Sequence, residues 1–214
     1  MFRVITWVCA ALCFVYALGC GGGGSSDGNS PFVSINATRF VAKSTSIKVG
    51  DLIQWVNSDA APHQVVSGVL DPQGSPLVIH LIEISFTGFN PIAVTANLGE
   101  TVQFSNISGS QFTMDVVNDN GVLVSTVVFN IGDLKTFTFP GAGLFTFRQR
   151  GSSIFMGSIV LFGQPHPDGL FQSPILTNGA VFARQFNVPG TFPYYSLDLT
   201  NPNRSFVTGT VTVQ

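Results

Sequence analysis

From residue 31 onward, apolar and polar positions alternate in short runs broken by Gly, Pro, Asn and Asp, and no stretch sustains a 3.6-residue period. That pattern predicts an all-β chain. Sliding the sequence by 49 positions lays residues 40–57 on 89–106 without a gap. Phe40 meets Phe89, Gly50 meets Gly99, Asp51 meets Glu100, Trp55 meets Phe104 and Asn57 meets Asn106. Each copy reads as two strands joined by a Gly-acid turn. A second self-match, at an offset of 47, pairs Gly132 with Gly179, Phe139 with Phe186, Gly143 with Gly190, Phe145 with Phe192 and Phe147 with Tyr194.

The order is thus front half, front half, back half, back half. Asn106 lies 33 residues before Phe139, whereas Asn57 lies 129 before Phe186. Because connections rarely cross, the spacing favours nesting over a tandem or interleaved arrangement. One β-sandwich, 33–76 with 164–214, is interrupted by a second, 77–163. The junctions Asp71-Pro72-Gln73-Gly74-Ser75-Pro76 and Gly163-Gln164-Pro165-His166-Pro167-Asp168-Gly169 are turn-rich and polar, as an insertion point requires.

Residues 1–30 follow a different rule. Arg3 precedes the uncharged apolar run Val4 to Leu18, which is short for a membrane span and reads as a secretory signal over 1–20. Ala17-Leu18-Gly19-Cys20, followed by Gly21 to Gly24 and a polar stretch, resembles a bacterial lipobox with Ala17 and Leu18 in reversed order. That resemblance implies lipidation of Cys20, a membrane anchor and an exported, envelope location; the alternative is an ordinary signal peptide cleaved nearby. Residues 21–32 form a Gly/Ser linker, whose flexible part would span roughly 20 Å.

Composition then narrows the chemistry. All three cysteines, Cys9, Cys13 and Cys20, precede residue 21. Disulfides, cysteine–zinc sites, iron–sulfur clusters and a cysteine nucleophile are excluded from the folded part. A net charge of −2 with 9% charged residues offers no basic footprint for nucleic acid.

Two long stretches carry a family resemblance. Phe40, Ile47 to Asp59 and Pro62 to Gly68, with Leu170 to Leu176, Phe186, Pro189 to Tyr195 and Thr208 to Val213, resemble a cupredoxin of the plastocyanin/pseudoazurin type. The resemblance implies a Greek-key sandwich for the outer unit and, more faintly, for the inserted one. It also implies a single copper held by two His, one Cys thiolate and a weak axial Met. His63 stands at the first His position. Ser196 stands where the thiolate should be, Leu199 at the second His, and Phe206 or Val207 near the Met. The inserted unit has Gln111 or Phe112, Gln149, Ser152 and Phe155 at these places. A neutral hydroxyl does not replace a soft thiolate. The expectation is a fold that has lost its type 1 copper and acts as a non-redox binding or structural module, not an enzyme. Its partner would be a protein or small molecule of the envelope, with no cofactor. The alternative is a non-blue copper site at His63, with His166 and help from Asp59, Asp198 or Met114. His80 reads as a strand residue, and Ser67, His63 and Asp59 lack a nucleophile-elbow context for hydrolysis.

Overall fold

The computed structural model describes residues 31–200 and 203–214, and every regular element among them is a strand. Cys20 and the apolar leader lie outside the described residues. The chain lays down β1 (Phe32–Ile35), β2 (Phe40–Val41), β3 (Ser44–Ile47), β4 (Leu52–Asn57) and β5 (His63–Asp71). It continues through β6 (Ile79–Ser85), β7 (Gly88–Asn90), β8 (Ala93–Asn97), β9 (Thr101–Asn106), β10 (Phe112–Asn118), β11 (Leu123–Phe129), β12 (Leu134–Phe137), β13 (Gly143–Gln149) and β14 (Met156–Phe162). It then returns as β15 (Gln164–Gln172), β16 (Val181–Gln185), β17 (Gly190–Asp198) and β18 (Thr208–Val213).

Two sheets, ordered β16-β4-β1-β2 and β15-β5-β17-β18-β3, build the outer sandwich. Two more, β12-β9-β6-β7 and β11-β10-β13-β14-β8, build the inserted one. Matching β6–β14 in turn to β1–β5 and β15–β18 makes the two strand orders identical. The nested pair of sandwiches expected from the self-matches is therefore present strand for strand. The insertion replaces a turn: β10 and β11 form a hairpin, and at the same place β5 and β15 pair as Asp71 with Gln164, with the whole inserted sandwich between them.

The alternation that announced the strands is the alternation of burial. Along β4 the inward residues are Ile53, Trp55 and Asn57; along β9 they are Val102, Phe104 and Asn106. Each unit closes its own core. Trp55 sits among Phe171, Phe182 and Tyr194, with ring centroids 5.5, 5.6 and 5.3 Å away. Phe104 meets Phe147 at 5.2 Å and Phe129 at 6.3 Å. The repeated Gly-acid turns have a physical reason. Gly50 and Gly99 adopt φ of +93° and +103°, which an L side chain rarely tolerates. The acids then cap their own turns: Asp51 accepts from the Lys48 N–H at 2.8 Å, and Glu100 from the Asn97 N–H at 2.9 Å.

The inserted sandwich rests on the end of the outer one that carries His63 and the β17–β18 loop. Asp119, in the β10–β11 turn, accepts from Lys43 Nζ at 3.0 Å, and its carbonyl accepts from Arg39 at 2.8 Å. Gly163 and Ser205 exchange two backbone hydrogen bonds of 2.8 and 3.0 Å. Phe162 meets Phe206 at 5.1 Å, and the Arg204 guanidinium lies 4.1 Å from the Phe162 ring centre.

Candidate functional site

The strongest cluster of polar chemistry forms where the resemblance puts a metal. Asn57 ends β4 fully buried and folds the next loop back. Its side-chain N–H groups donate to the carbonyls of Ala61 and Leu176, both at 2.8 Å, while its oxygen accepts from the Asp59 N–H at 2.8 Å. That loop delivers Asp59 and His63 to one place. His63 is 4% exposed and opens β5; Ser196 is 3% exposed and lies on the adjacent strand β17.

Both imidazole nitrogens are engaged. His63 Nε2 is 2.8 Å from Asp59 Oδ2, and Nδ1 is 2.9 Å from Ser196 Oγ. An ionised carboxylate only accepts, so Nε2 carries the proton in the neutral ring and Nδ1 accepts from the Ser196 hydroxyl. The His63 hydrogen bond holds the Asp59 carboxyl below its ordinary value, against a smaller opposing effect of burial. Ser196, where the resemblance expects a thiolate, thus satisfies the histidine's second nitrogen.

This Ser–His–Asp chain differs from the set weighed on sequence. Ser67 is not part of it: its hydroxyl donates to the Phe171 carbonyl at 2.9 Å and accepts the Phe171 N–H at 2.8 Å, tying β5 to β15. Acyl transfer also needs N–H donors beside the nucleophile. The Ser196 N–H is spent on the Val207 carbonyl and the His63 N–H on the Leu176 carbonyl. The arrangement is a self-contained hydrogen-bonded network.

The other expected positions lie apart from a common centre. Leu199 is half-buried in the turn after β17. Val207 is buried in the outer core, and its carbonyl holds the Ser196 N–H. His166 pairs on the exposed strand β15 with Asp71, Nδ1 to Oδ2 at 2.6 Å, where β15 runs beside Val69 rather than His63. His80 lies on β6 and meets Glu100 at 2.7 Å. In the inserted unit Phe112 occupies the place of His63 and packs on Phe89 at 5.6 Å. Gln149 pairs with Met114 as Ser196 pairs with Val65. Among the described residues no three His, Cys, Asp or Glu side chains are grouped to hold a metal.

A cleft of about 450 Å³ opens beside the network, lined by Asp59, His63, Ser196, Phe162, Arg204 and Phe206. Sequence reasoning found the outer-unit wall and missed the Phe162 wall, since that residue belongs to β14 of the inserted sandwich. A second cleft of about 420 Å³ lies near Pro72, Glu100 and Phe139.

The carboxylates make acid sensitivity testable. Asp59 and Glu100 both sit below their ordinary values of 3.8 and 4.5. For Glu100, burial alone would raise the value, but the Asn97 N–H, the Asn97 side chain and His80 together outweigh it. A depressed folded value gives stability that is complete above the unfolded value and is lost as pH falls through the folded one. The urea midpoint is therefore expected to drop below about pH 4.5, and Asp59→Asn with Glu100→Gln to flatten that drop. An unchanged acid limb in the double variant would show that these contacts do not set it.

No family model matches the chain, and no curated protein matches it. Solved structures do. A proline-to-phenylalanine variant of amicyanin in its reduced state is 13% identical, covering 46% of this chain and 98% of its own, with a TM-score of 0.35. Native pseudoazurin from Hyphomicrobium denitrificans is 20% identical over 41% of this chain and 77% of its own, at 0.33. Auracyanin B is 13% identical over 48% and 98%, also at 0.33.

Proposed function

We propose that this chain is an exported, membrane-tethered binding module of the cell envelope, built on a copper-protein fold whose metal position has become a closed hydrogen-bond network. One observation supports the reading above the others: the two nitrogens of His63 are already matched, to Asp59 and to Ser196. A copper ion would have to displace one of those partners. It would gain a hard, neutral serine oxygen where the family uses a soft thiolate. The cleft beside the network, walled on one side by the inserted sandwich, is the binding position, and its ligand is a small molecule or a protein segment of the envelope. Cys20 supplies the tether.

The test is metal loading. The chain is stripped with a chelator, incubated with Cu(I) or Cu(II) and desalted; the expected result is far less than one bound copper and no visible thiolate band. One equivalent of coloured copper would overturn the reading. Colourless stoichiometric binding that His63→Ala abolishes would overturn it in favour of a non-blue copper site.

A further inference from the structure

Four loops meet at the end of the inserted sandwich that points away from the outer one. They join β6 to β7, β9 to β10, β11 to β12 and β13 to β14. Each presents one large apolar side chain to solvent: Phe86 is 80% exposed, Ile107 55%, Ile131 68% and Ile154 86%. The loops form one built surface. Asn106, fully buried, donates to the carbonyls of Ser110 and Asn130 at 2.7 and 2.9 Å, joining two of them. The Ile107 N–H reaches the Ile84 carbonyl at 2.9 Å, and a small hollow lies between Phe86, Ser108 and Phe155.

The chemistry of these tips is unusual for a solvated pole. Residues 85–88, 107–111, 130–132 and 151–155 contain Ser, Thr, Gly, Asn, Gln, Phe and Ile and no charged residue; the two charges of these loops, Asp133 and Arg150, stand next to the strands and are paired with Lys135 and Asp115. Evenly spread single apolar residues need no explanation, but a cluster rimmed by small polar ones marks a contact surface. Area separates the occupants. Four side chains of this size present on the order of 500 Å², short of the ~800 Å² per partner of a stable protein interface. The tips themselves carry no Trp, Tyr or Arg anchor of the kind that gives such interfaces affinity and register, and the charges at the loop roots, Arg150 with Asp115 and Lys135 with Asp133, are spent on each other. Protruding uncharged tips suit a fluid apolar medium, which needs no shape match.

We propose that this pole is a lipid-inserting tip: Phe86, Ile107, Ile131 and Ile154 enter the acyl–headgroup boundary of a bilayer while the neighbouring Ser, Thr and Asn groups meet the headgroups. The N-terminal strand β1 begins at the other pole of the molecule, because β1 runs parallel to β4 toward the His63 end. If the chain is tethered through Cys20 as proposed above, the two poles engage different surfaces.

The test uses residues 31–214, which contain both hydrophobic cores and all four sheets. The protein is floated with vesicles of phosphatidylcholine alone and of phosphatidylcholine with phosphatidylglycerol. Binding to both is expected, unchanged by about 0.5 M salt. The double variant Phe86→Ser with Ile154→Ser should lower the partition coefficient about tenfold or more, with thermal unfolding unmoved. Leu77→Ser, 89% exposed at the other end of the inserted sandwich, should leave it unchanged. No flotation overturns the proposal, as does binding confined to phosphatidylglycerol and lost in salt. Self-association in sedimentation velocity that the double variant abolishes, without vesicle binding, would assign the tips to a protein contact and overturn it too.

Discussion

Gly209→Ala is expected to destabilise the outer sandwich by about 3 kcal/mol or more, and Gly157→Ala to do the same to the inserted one. A Cβ added to Gly209 would lie 2.4 to 2.6 Å from the ring of Tyr194; at Gly157 it would lie 2.2 and 2.6 Å from the ring of Phe147. These contacts are far inside van der Waals distance. Neither ring can swing aside: Tyr194 packs edge-on against Phe40 at 4.8 Å and Trp55 at 5.3 Å, and Phe147 against Phe89 at 4.7 Å and Phe104 at 5.2 Å. In both units the strand pair brings an aromatic residue over a glycine, Tyr194 beside Gly209 and Phe147 beside Gly157. Trp55 and Trp7 are the two tryptophans of the chain, so fluorescence of residues 31–214 reports on the outer core alone. Gly209→Ala should lower the denaturant midpoint read by tryptophan, and adding Tyr194→Leu should recover part of the loss. Gly50→Ala is the control: its Cβ would meet nothing within 4 Å, leaving only the strain of φ +93°, about 1 kcal/mol. Equal losses at Gly50 and Gly209 would mean that backbone conformation, not ring contact, sets the cost.

The repeat that organises the fold was legible because it is carried by inward positions. Phe40 and Phe89, Trp55 and Phe104, and Tyr194 and Phe147 are all buried at matched places. Burial restricts such positions to a few residue types, so self-similarity survives there. Solvent-facing positions of the same strands carry no such restriction. The approach of Ser196 to His63 was legible only through the family resemblance. Periodicity cannot show that a side chain 133 residues away donates to the imidazole. Asp59 was visible beside His63, but the sequence offered Ser67 as the nearer hydroxyl, and Ser67 is spent on β15. What sequence reasoning missed altogether is the joint between sandwiches. The loop after β17, long for a ligand loop, carries Arg204, Ser205 and Phe206 against Phe162 and Gly163 of the inserted unit. A contact between two separately folded units leaves no periodic trace, because neither partner's strand pattern depends on it.

Asn57→Ala should cost about 3–5 kcal/mol and dismantle the His63 network in the same step. Asn57 is fully buried and satisfies three main-chain groups: the carbonyls of Ala61 and Leu176 and the N–H of Asp59. Truncation leaves these groups short of a partner in a site where water has little access, each costing roughly 1–3 kcal/mol when buried. The Leu176 carbonyl keeps the His63 N–H at 3.0 Å, so the full sum is not reached. Asn57→Asp separates shape from chemistry. It preserves volume but loses both N–H donors and sets a carboxylate against two carbonyl oxygens, so it should be at least as damaging as alanine. The loop from Asn57 to His63 holds Asp59 against the ring, so either variant should also release the imidazole. The predicted signature is a displaced His63 ring resonance at fixed pH, together with the lower denaturant midpoint. Asn106 provides the matched comparison, since it bridges Ser110 and Asn130 in the inserted unit without any histidine. Asn106→Ala should cost a similar amount and leave the His63 resonance unmoved. An Asn57→Ala protein of near wild-type stability would show that the loop, and hence the network, is held by something other than this side chain.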